Sequence, residues 1–205
     1  MFFLEFKDRM FNLACFSIYQ IFAWRPDFDP NNLTRWVKKG YLIRLKKGFY
    51  TFPEYKSKPD YSLYFANRIY KPSYISLHTA LAFYGMIPEA VVQITSVTAL
   101  KTISFTNDFG GYSYYSLKEQ LMFGYELKPM ADQRTIQFAT PEKALLDLLY
   151  LYSFYNSEQE LKELRLDENY LREDFNMDLL LEYSSRFRSK ALDKRIKKLF
   201  NTYYL

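Results

Sequence analysis

The spacing of hydrophobic and polar residues near the start of the chain predicts two successive helices. Ser17 lies three residues before Gln20, which is the pattern of a capping box, and Pro26 ends the helix that follows. Asp29 is placed to cap a second helix, which Gly40 would close in a left-handed conformation. Apolar residues recur at helical spacing in both segments, so we expect each helix to pack one face on a core.

A hairpin of two short strands is predicted directly after these helices. Residues 42–45 and 49–52 are hydrophobic stretches of strand length, and the segment Lys46-Lys47-Gly48 between them has the composition of a turn. A short helix over residues 2–11 and a strand at Phe16 are expected to complete the unit. This order of elements predicts a winged helix-turn-helix, whose second helix lies in the DNA major groove while its hairpin contacts the phosphate backbone.

The charge of this segment supports a polyanionic partner. The chain carries a formal net charge of +5, and no acid interrupts a run of six cations between Asp29 and Glu54. A positive field concentrated on one element favours binding to nucleic acid. The alternative is a solvated basic face on a small domain that binds only other proteins.

We therefore predict a DNA-binding surface on the second helix and the hairpin. Side chains of the helix would approach base edges, with Asn32 suited to adenine, and cations of the hairpin would hold phosphates in register. The predicted DNA-binding residues are Asn31, Asn32, Arg35, Lys38, Lys39, Arg44, Lys46 and Lys47.

A change in composition predicts a boundary between two domains. Residues 54–59 combine lysine, serine and proline, as linkers do. We expect a winged helix-turn-helix domain over residues 1–55 and a second domain over residues 60–205. The predicted fold class is α+β, in which the second domain has a small antiparallel sheet and a helical tail.

Local signals place several elements in the second domain. Ser76 is predicted to cap a helix that Gly85 ends, and Thr140 to cap a strongly apolar helix. Residues 91–98 are rich in β-branched side chains, which predicts a buried strand. Asp108 lies in a predicted hairpin loop that contains two glycines.

Composition limits the possible chemistry. The single cysteine, Cys15, cannot form an internal disulfide, and the single histidine, His78, cannot form a histidine metal cluster. No apolar run reaches the roughly 20 residues that a membrane span requires. We expect a cytoplasmic protein without a membrane partner, cofactor, metal or catalytic function.

A second basic cluster lies near the end of the chain. Its cations are Arg186, Arg188, Lys190, Lys194, Arg195, Lys197 and Lys198. One interpretation extends the nucleic-acid surface through Lys190, Lys194, Lys197 and Lys198. The other, which we prefer, places the cluster against solvent or beside the acidic residues of segment 158–174.

Three stretches of the chain resemble the AbiEi antitoxins, the regulatory half of the AbiE type IV toxin–antitoxin and phage-defence operons. The stretch Leu33–Tyr50 resembles the basic helix and wing of that family. The stretches Tyr74–Gly85 and Thr140–Leu149 are similar to the opening segment and a late helix of its second domain. The tail after Tyr155 carries no such resemblance.

This resemblance implies a transcriptional repressor that binds double-stranded DNA at inverted repeats in its own promoter. It also implies an antitoxin that opposes a nucleotidyltransferase-like toxin encoded alongside. We expect a monomer or weak dimer that binds DNA cooperatively. An orphan regulator that retained the fold without a toxin partner would carry the same residues.

A magnesium-dependent nuclease is a third possibility. Asp108, Glu126 and Lys128 lie near predicted strands, and two acids with a lysine can hold Mg²⁺ beside a phosphate. Such triplets also arise by chance in a chain with 25% charged residues.

Overall fold

The computed structural model describes residues 3–88 and 92–204, which form a mixed α and β structure. Phe2 and Val91, which were assigned from the sequence to a helix and a strand, lie outside the described residues.

The first part of the chain combines three helices with a small antiparallel sheet. The strands lie in the order β1, β3, β2, so the strand predicted at Phe16 pairs with the second strand of the hairpin. In chain order the elements are α1 (Phe3–Met10), β1 (Phe16–Ser17), α2 (Ile18–Trp24), α3 (Asn31–Lys38), β2 (Ile43–Lys46) and β3 (Phe49–Thr51).

The predicted helix signals are present. Ser17 and Gln20 form a reciprocal capping box at the start of α2. The carboxylate of Asp29 accepts a hydrogen bond of 2.9 Å from the backbone amide of Asn31 at the start of α3. Gly40 follows α3 with a φ of +72°, a conformation that glycine adopts without steric cost. Local sequence therefore fixes both ends of α3.

Aromatic side chains hold these helices on the sheet. Phe6, Phe16, Trp36 and Phe52 are buried in one cluster, and the ring centroids of Phe6 and Trp36 lie 4.6 Å apart. Full burial of a large apolar side chain contributes about 1.5–3 kcal/mol to folding. Because Trp36 anchors one face of α3, the opposite face of that helix is turned outward.

The predicted linker after β3 is partly packed. Pro53–Ser57 forms a 3₁₀ helix in which Tyr55 is buried, and the Tyr55 hydroxyl donates a hydrogen bond of 2.6 Å to the carbonyl of Phe11. A continuous cluster of buried hydrophobic residues extends from the first helices into the rest of the chain. The lysine and proline composition of this segment gave no indication that Tyr55 is buried.

The second sheet is larger than expected and is not purely antiparallel. Within the described residues it has six strands in the order β6, β7, β5, β4, β9, β8. The pairs β4/β9 and β5/β7 are parallel, and the other pairs are antiparallel. Its strands are β4 (Ser73–Ile75), β5 (Gln93–Thr98), β6 (Ile103–Asn107), β7 (Gly110–Ser116), β8 (Tyr125–Pro129) and β9 (Thr135–Ala139).

The expectation of a small antiparallel sheet missed β4, which joins the two halves of this sheet. That strand has three residues and lies between Pro72 and the next helix, so it is too short to give a periodic signal. Parallel pairing also links strands that are distant in sequence, and hydrophobic patterning does not report which strands pair. The helices before and after β4 are α4 (Tyr61–Ile69) and α5 (Leu77–Phe83).

A buried helix, α6 (Pro141–Leu151), packs against α5 and supplies both residues of a buried ion pair. Thr140 caps it as predicted. The side chains of Lys143 and Asp147, one helical turn apart, are 0% exposed and form a salt bridge. The hydroxyls of Tyr74 and Ser76 each donate a hydrogen bond of 2.8 Å to Asp147.

This network corrects the predicted role of Ser76. Ser76 precedes α5, but its side chain makes no capping hydrogen bond, because its hydroxyl donates to the carboxylate of Asp147. Burial lowers the pKa of Lys143, and Asp147 opposes this shift. Burial and the carboxylate of Asp147 together hold the pKa of Tyr74 well above its usual value.

The tail is helical, as expected, and its helices are capped by side chains such as those of Ser157 and Asp167. The tail helices are α7 (Glu158–Lys162), α8 (Glu168–Glu173), α9 (Met177–Phe187) and α10 (Lys190–Tyr203).

Candidate nucleic-acid interface

The outward face of α3 is polar and cationic. Leu33 and Trp36 point into the core, and the side chains on the other side of the helix are exposed. Of the residues predicted to contact DNA, Asn32 on α3 and Lys46 on the hairpin are half-buried. The exposed ones are Asn31, Arg35, Lys38, Lys39, Arg44 and Lys47.

Arg35 has an intramolecular partner that the sequence analysis did not foresee. Its guanidinium donates to the carboxylate of Asp29 at 3.1 Å, and the two side chains are 62% and 48% exposed. A surface ion pair of this kind contributes about 0–1 kcal/mol. Arg35 can therefore exchange Asp29 for another acceptor at little cost.

Lys47 lies in the turn of the hairpin, next to Gly48. Gly48 has a φ of +82°, and its carbonyl accepts a hydrogen bond of 2.9 Å from the amide of Ile18 at the start of α2. The turn is thus tied to the helices, and the exposed Lys47 projects from a fixed position.

Lys46 is oriented differently from its neighbours. Its ammonium lies 3.8 Å from the ring centroid of Tyr70, just after α4, and 5.3 Å from that of Phe105. Burial lowers the pKa of Lys46. The side chain of Asn107 also donates a hydrogen bond of 2.9 Å to the carbonyl of Leu45. The hairpin is therefore attached to the second sheet as well as to its own helices.

Two further cations beside the hairpin were missed by the sequence analysis. Arg68 on α4 and Lys71 just after it line a cleft together with Lys46 and Lys47. In the sequence these two cations stand apart from the basic run, at residues 68 and 71, and only the packing of α4 on the hairpin brings them near it. Contacts between distant segments carry no local signal in one sequence.

The basic cluster of the tail is largely exposed. Arg195 donates to the carbonyl of Leu149 at 2.9 Å, and Lys198 donates to the carbonyl of Asn156. Lys190, Lys194 and Lys197 are exposed, and no carboxylate of the described residues lies within ion-pair distance of them.

Two acidic residues of segment 158–174 form ion pairs with cations of the same segment. Glu158 pairs with Lys162 and Glu168 with Arg172, each at 2.7 Å and one helical turn apart. α10 packs against α7. These local ion pairs leave the exposed lysines of α10 facing solvent.

The acids of the nuclease alternative do not come together. Asp108 lies in the turn between β6 and β7 and pairs with Lys56 at 2.9 Å. Glu126 lies on β8, at the opposite edge of the six-stranded sheet, and pairs with Lys128 at 2.7 Å. Within residues 3–88 and 92–204 no cluster of three or more acidic, histidine or cysteine side chains is placed to hold a metal ion.

Comparison with protein-family models and with curated proteins finds no match to this chain. In the part of the chain that the structure describes, no helix combines the length and apolar character needed to cross a bilayer.

Proposed function

We propose that this chain is a DNA-binding transcriptional regulator whose N-terminal domain, residues 1–55, is a winged helix-turn-helix. The observation that carries the proposal is the outward face of α3, where Arg35 and Lys38 are exposed while Trp36 is buried, together with the exposed Lys39 at the end of the helix. The hairpin β2/β3 presents Arg44 and Lys47 beside it. In this function α3 enters the major groove and the hairpin contacts phosphates.

The residues divide into base-reading and phosphate-binding groups. Arg35 has the planar fork that binds guanine on two acceptors, and Asn31 and Asn32 have amides suited to adenine. Arg44 and Lys47 have solvent-exposed charges suited to phosphates. The side-chain nitrogen of Lys46 lies over the ring of Tyr70, so Lys46 would act on DNA only at longer range or after leaving that ring.

We further propose that the regulator represses its own operon and acts as the antitoxin of a type IV toxin–antitoxin pair. The resemblance of Leu33–Tyr50, Tyr74–Gly85 and Thr140–Leu149 to the AbiEi antitoxins supports this role. The test is co-expression with the product of the adjacent gene. An antitoxin restores growth that the neighbour alone arrests, and a chain that leaves the arrest unchanged is not the antitoxin of that gene.

A protein-interaction module is the rival function. Leu4 on α1 and Tyr19 on α2 are 71% and 81% exposed, and exposed apolar side chains of this size are suited to a protein partner. Fluorescence anisotropy with duplex DNA from upstream of the gene separates the two functions. Saturable binding that is tighter than binding to a scrambled duplex supports the regulator, and no preference at low salt supports the module.

A further inference from the structure

A cleft of about 530 Å³ separates the turn of the hairpin from the C-terminal end of α4. Among residues 3–88 and 92–204, every charged side chain in its lining is a cation, namely Lys46, Lys47, Arg68 and Lys71. Arg68 and Lys71 also line a neighbouring cleft of about 520 Å³ that reaches β9, and the described residues of that lining include no acid. The two clefts share Arg68 and Lys71 at the end of α4, and we name them together the junction cleft.

The positive charges of the junction cleft lack acidic partners in the part of the chain that the structure describes. No carboxylate of the described residues lies within ion-pair distance of the four cations. Burial lowers the pKa of Lys46 and Lys71, and the charge of Arg68 lowers that of Lys71 further. Arg68 and Lys71 repel one another, and an anion bound beside them would relieve that repulsion.

Part of this arrangement has a structural explanation. Cations near a helix C-terminus offset its negative dipole by about 0.3–1 kcal/mol, which accounts for Arg68 and Lys71 at the end of α4. It does not account for Lys46 and Lys47, which come from the hairpin on the other side of the cleft. Two separate elements therefore direct positive charge into one depression.

The lining of the second cleft, the one that reaches β9, also contains an unpaired hydrogen-bond donor, on Asn67. The backbone amide of Gln137 donates to the side-chain oxygen of Asn67 at 2.6 Å, which fixes the orientation of that amide group. The side-chain nitrogen of Asn67 is then buried without a partner. An unmade hydrogen bond of this kind costs about 1–3 kcal/mol, so a small movement that exposed the nitrogen to a ligand oxygen would be favourable.

We propose that the junction cleft binds the phosphates of a small organic diphosphate, such as a nucleoside diphosphate. Each of its two clefts has a volume in the range of small-molecule sites, about 300–1,000 Å³. The guanidinium of Arg68 supplies a planar fork for two phosphate oxygens, and Lys71 and Lys47 supply point charges. The inference goes beyond the proposed function and does not require DNA.

The test uses the full chain and two probes, inorganic pyrophosphate and ADP, in isothermal titration calorimetry. The variant Arg68→Gln/Lys71→Gln removes two charges of the cleft that are outside the proposed DNA-binding surface. Lys118→Gln is the matched control, because Lys118 is an exposed cation that does not line the junction cleft. Circular dichroism confirms that each variant is folded.

We expect wild type and Lys118→Gln to bind both probes equally, and Arg68→Gln/Lys71→Gln to bind them at least about tenfold more weakly. Absence of binding by wild type, or equal binding by all three proteins, overturns the proposal. The salt dependence of DNA binding by the same proteins shows whether the cleft binds the phosphates of a small molecule or those of the DNA backbone. A flatter salt slope for the double variant without any pyrophosphate or ADP binding would assign the cleft to DNA backbone and also overturn the proposal.

These results are distinguishable from failure of the proposed function. Pyrophosphate binding that depends on Arg68 and Lys71, in a chain that binds no DNA, would support the cleft and refute the regulator. Specific DNA binding with no pyrophosphate or ADP binding would support the regulator and refute the proposed diphosphate site.

Discussion

The ammonium of Lys46 lies 3.8 Å from the ring centroid of Tyr70, which couples the N-terminal hairpin to the end of α4. The hydroxyl of Tyr70 in turn donates a hydrogen bond of 2.9 Å to the carbonyl of Lys101. Through Tyr70, the hairpin is held against the second sheet. The position of the candidate DNA-binding surface therefore depends on a residue outside it.

Replacement of Tyr70 by leucine should destabilise the protein by about 1–3 kcal/mol. The change removes the cation–π contact, worth about 0.5–2 kcal/mol, and a hydrogen bond worth about 0.5–1.5 kcal/mol. Urea denaturation measures the free energy of unfolding. The control is Tyr19→Leu, since Tyr19 is exposed and its replacement should change stability by less than about 0.5 kcal/mol. Equal effects of the two substitutions would show that Tyr70 does not secure the junction.

The buried pair of Lys143 and Asp147 should be strongly coupled. Removal of one partner leaves an unpaired charge in the core, so Lys143→Met or Asp147→Asn should each cost about 3–5 kcal/mol. The double substitution should cost less than the sum of the single ones, because it leaves no uncompensated ion. Urea denaturation of wild type, the two single variants and the double variant gives the four free energies of unfolding for a double-mutant cycle. Additive effects would contradict the coupling.

Stability should fall as the pH rises above about 10. Burial raises the pKa of Tyr61, Tyr84, Tyr112 and Tyr114 above the usual value of 10.0. A raised pKa in the folded state means that the native protein keeps protons which the unfolded chain releases. The stabilising contribution is complete below the unfolded pKa and is lost as the pH rises toward the folded pKa.

Urea denaturation at pH 8, 9, 10 and 11 measures this effect. We expect similar free energies of unfolding at the two lower pH values and a decline above pH 10, accompanied by tyrosinate absorbance as the chain unfolds. The lowered pKa of Lys143 acts in the opposite sense below its usual value of 10.5, because there the unfolded chain binds the additional proton. Unchanged stability between pH 9 and pH 11 would contradict the burial of these phenols.

Local features of the fold were predictable from the sequence. The capping box at Ser17, the cap at Asp29 and the left-handed Gly40 follow from interactions within a few residues, so one sequence contains the whole signal. The same holds for the exposed Arg35 and Lys38 of α3, because the helical period places them away from Trp36.

Long-range features were not predictable in the same way. Ser76 has the local pattern of a helix cap, yet its hydroxyl donates a hydrogen bond to the carboxylate of Asp147, 71 residues away. Lys46 resembles its neighbour Lys47 in the sequence, and the rings of Tyr70 and Phe105 beside Lys46 distinguish their environments. The parallel pairing of β4 with β9, and the approach of Arg68 and Lys71 to the hairpin, likewise depend on tertiary packing.

The cations of α3 and of the hairpin should contribute differently to DNA binding. Arg35→Ala should cost about 1–3 kcal/mol on the preferred sequence and little on a scrambled duplex, because a bidentate base contact is specific. Lys47→Gln should weaken binding to both duplexes and reduce the slope of log K against log salt by about 0.9, because it removes one phosphate contact. Anisotropy titrations at several salt concentrations report both quantities. A loss confined to one duplex for Lys47→Gln would contradict its assignment to phosphate.

The decisive measurement is fluorescence anisotropy of wild type, Arg35→Ala/Lys47→Gln and Lys118→Gln on duplex DNA from upstream of the gene. Lys118 is the control because it is an exposed cation that is not among the proposed DNA-binding residues. We expect tight, salt-dependent binding by wild type and by Lys118→Gln, and a loss of at least about tenfold in the double variant. Equal affinity of all three proteins for this DNA would contradict the proposed role of α3 and the hairpin.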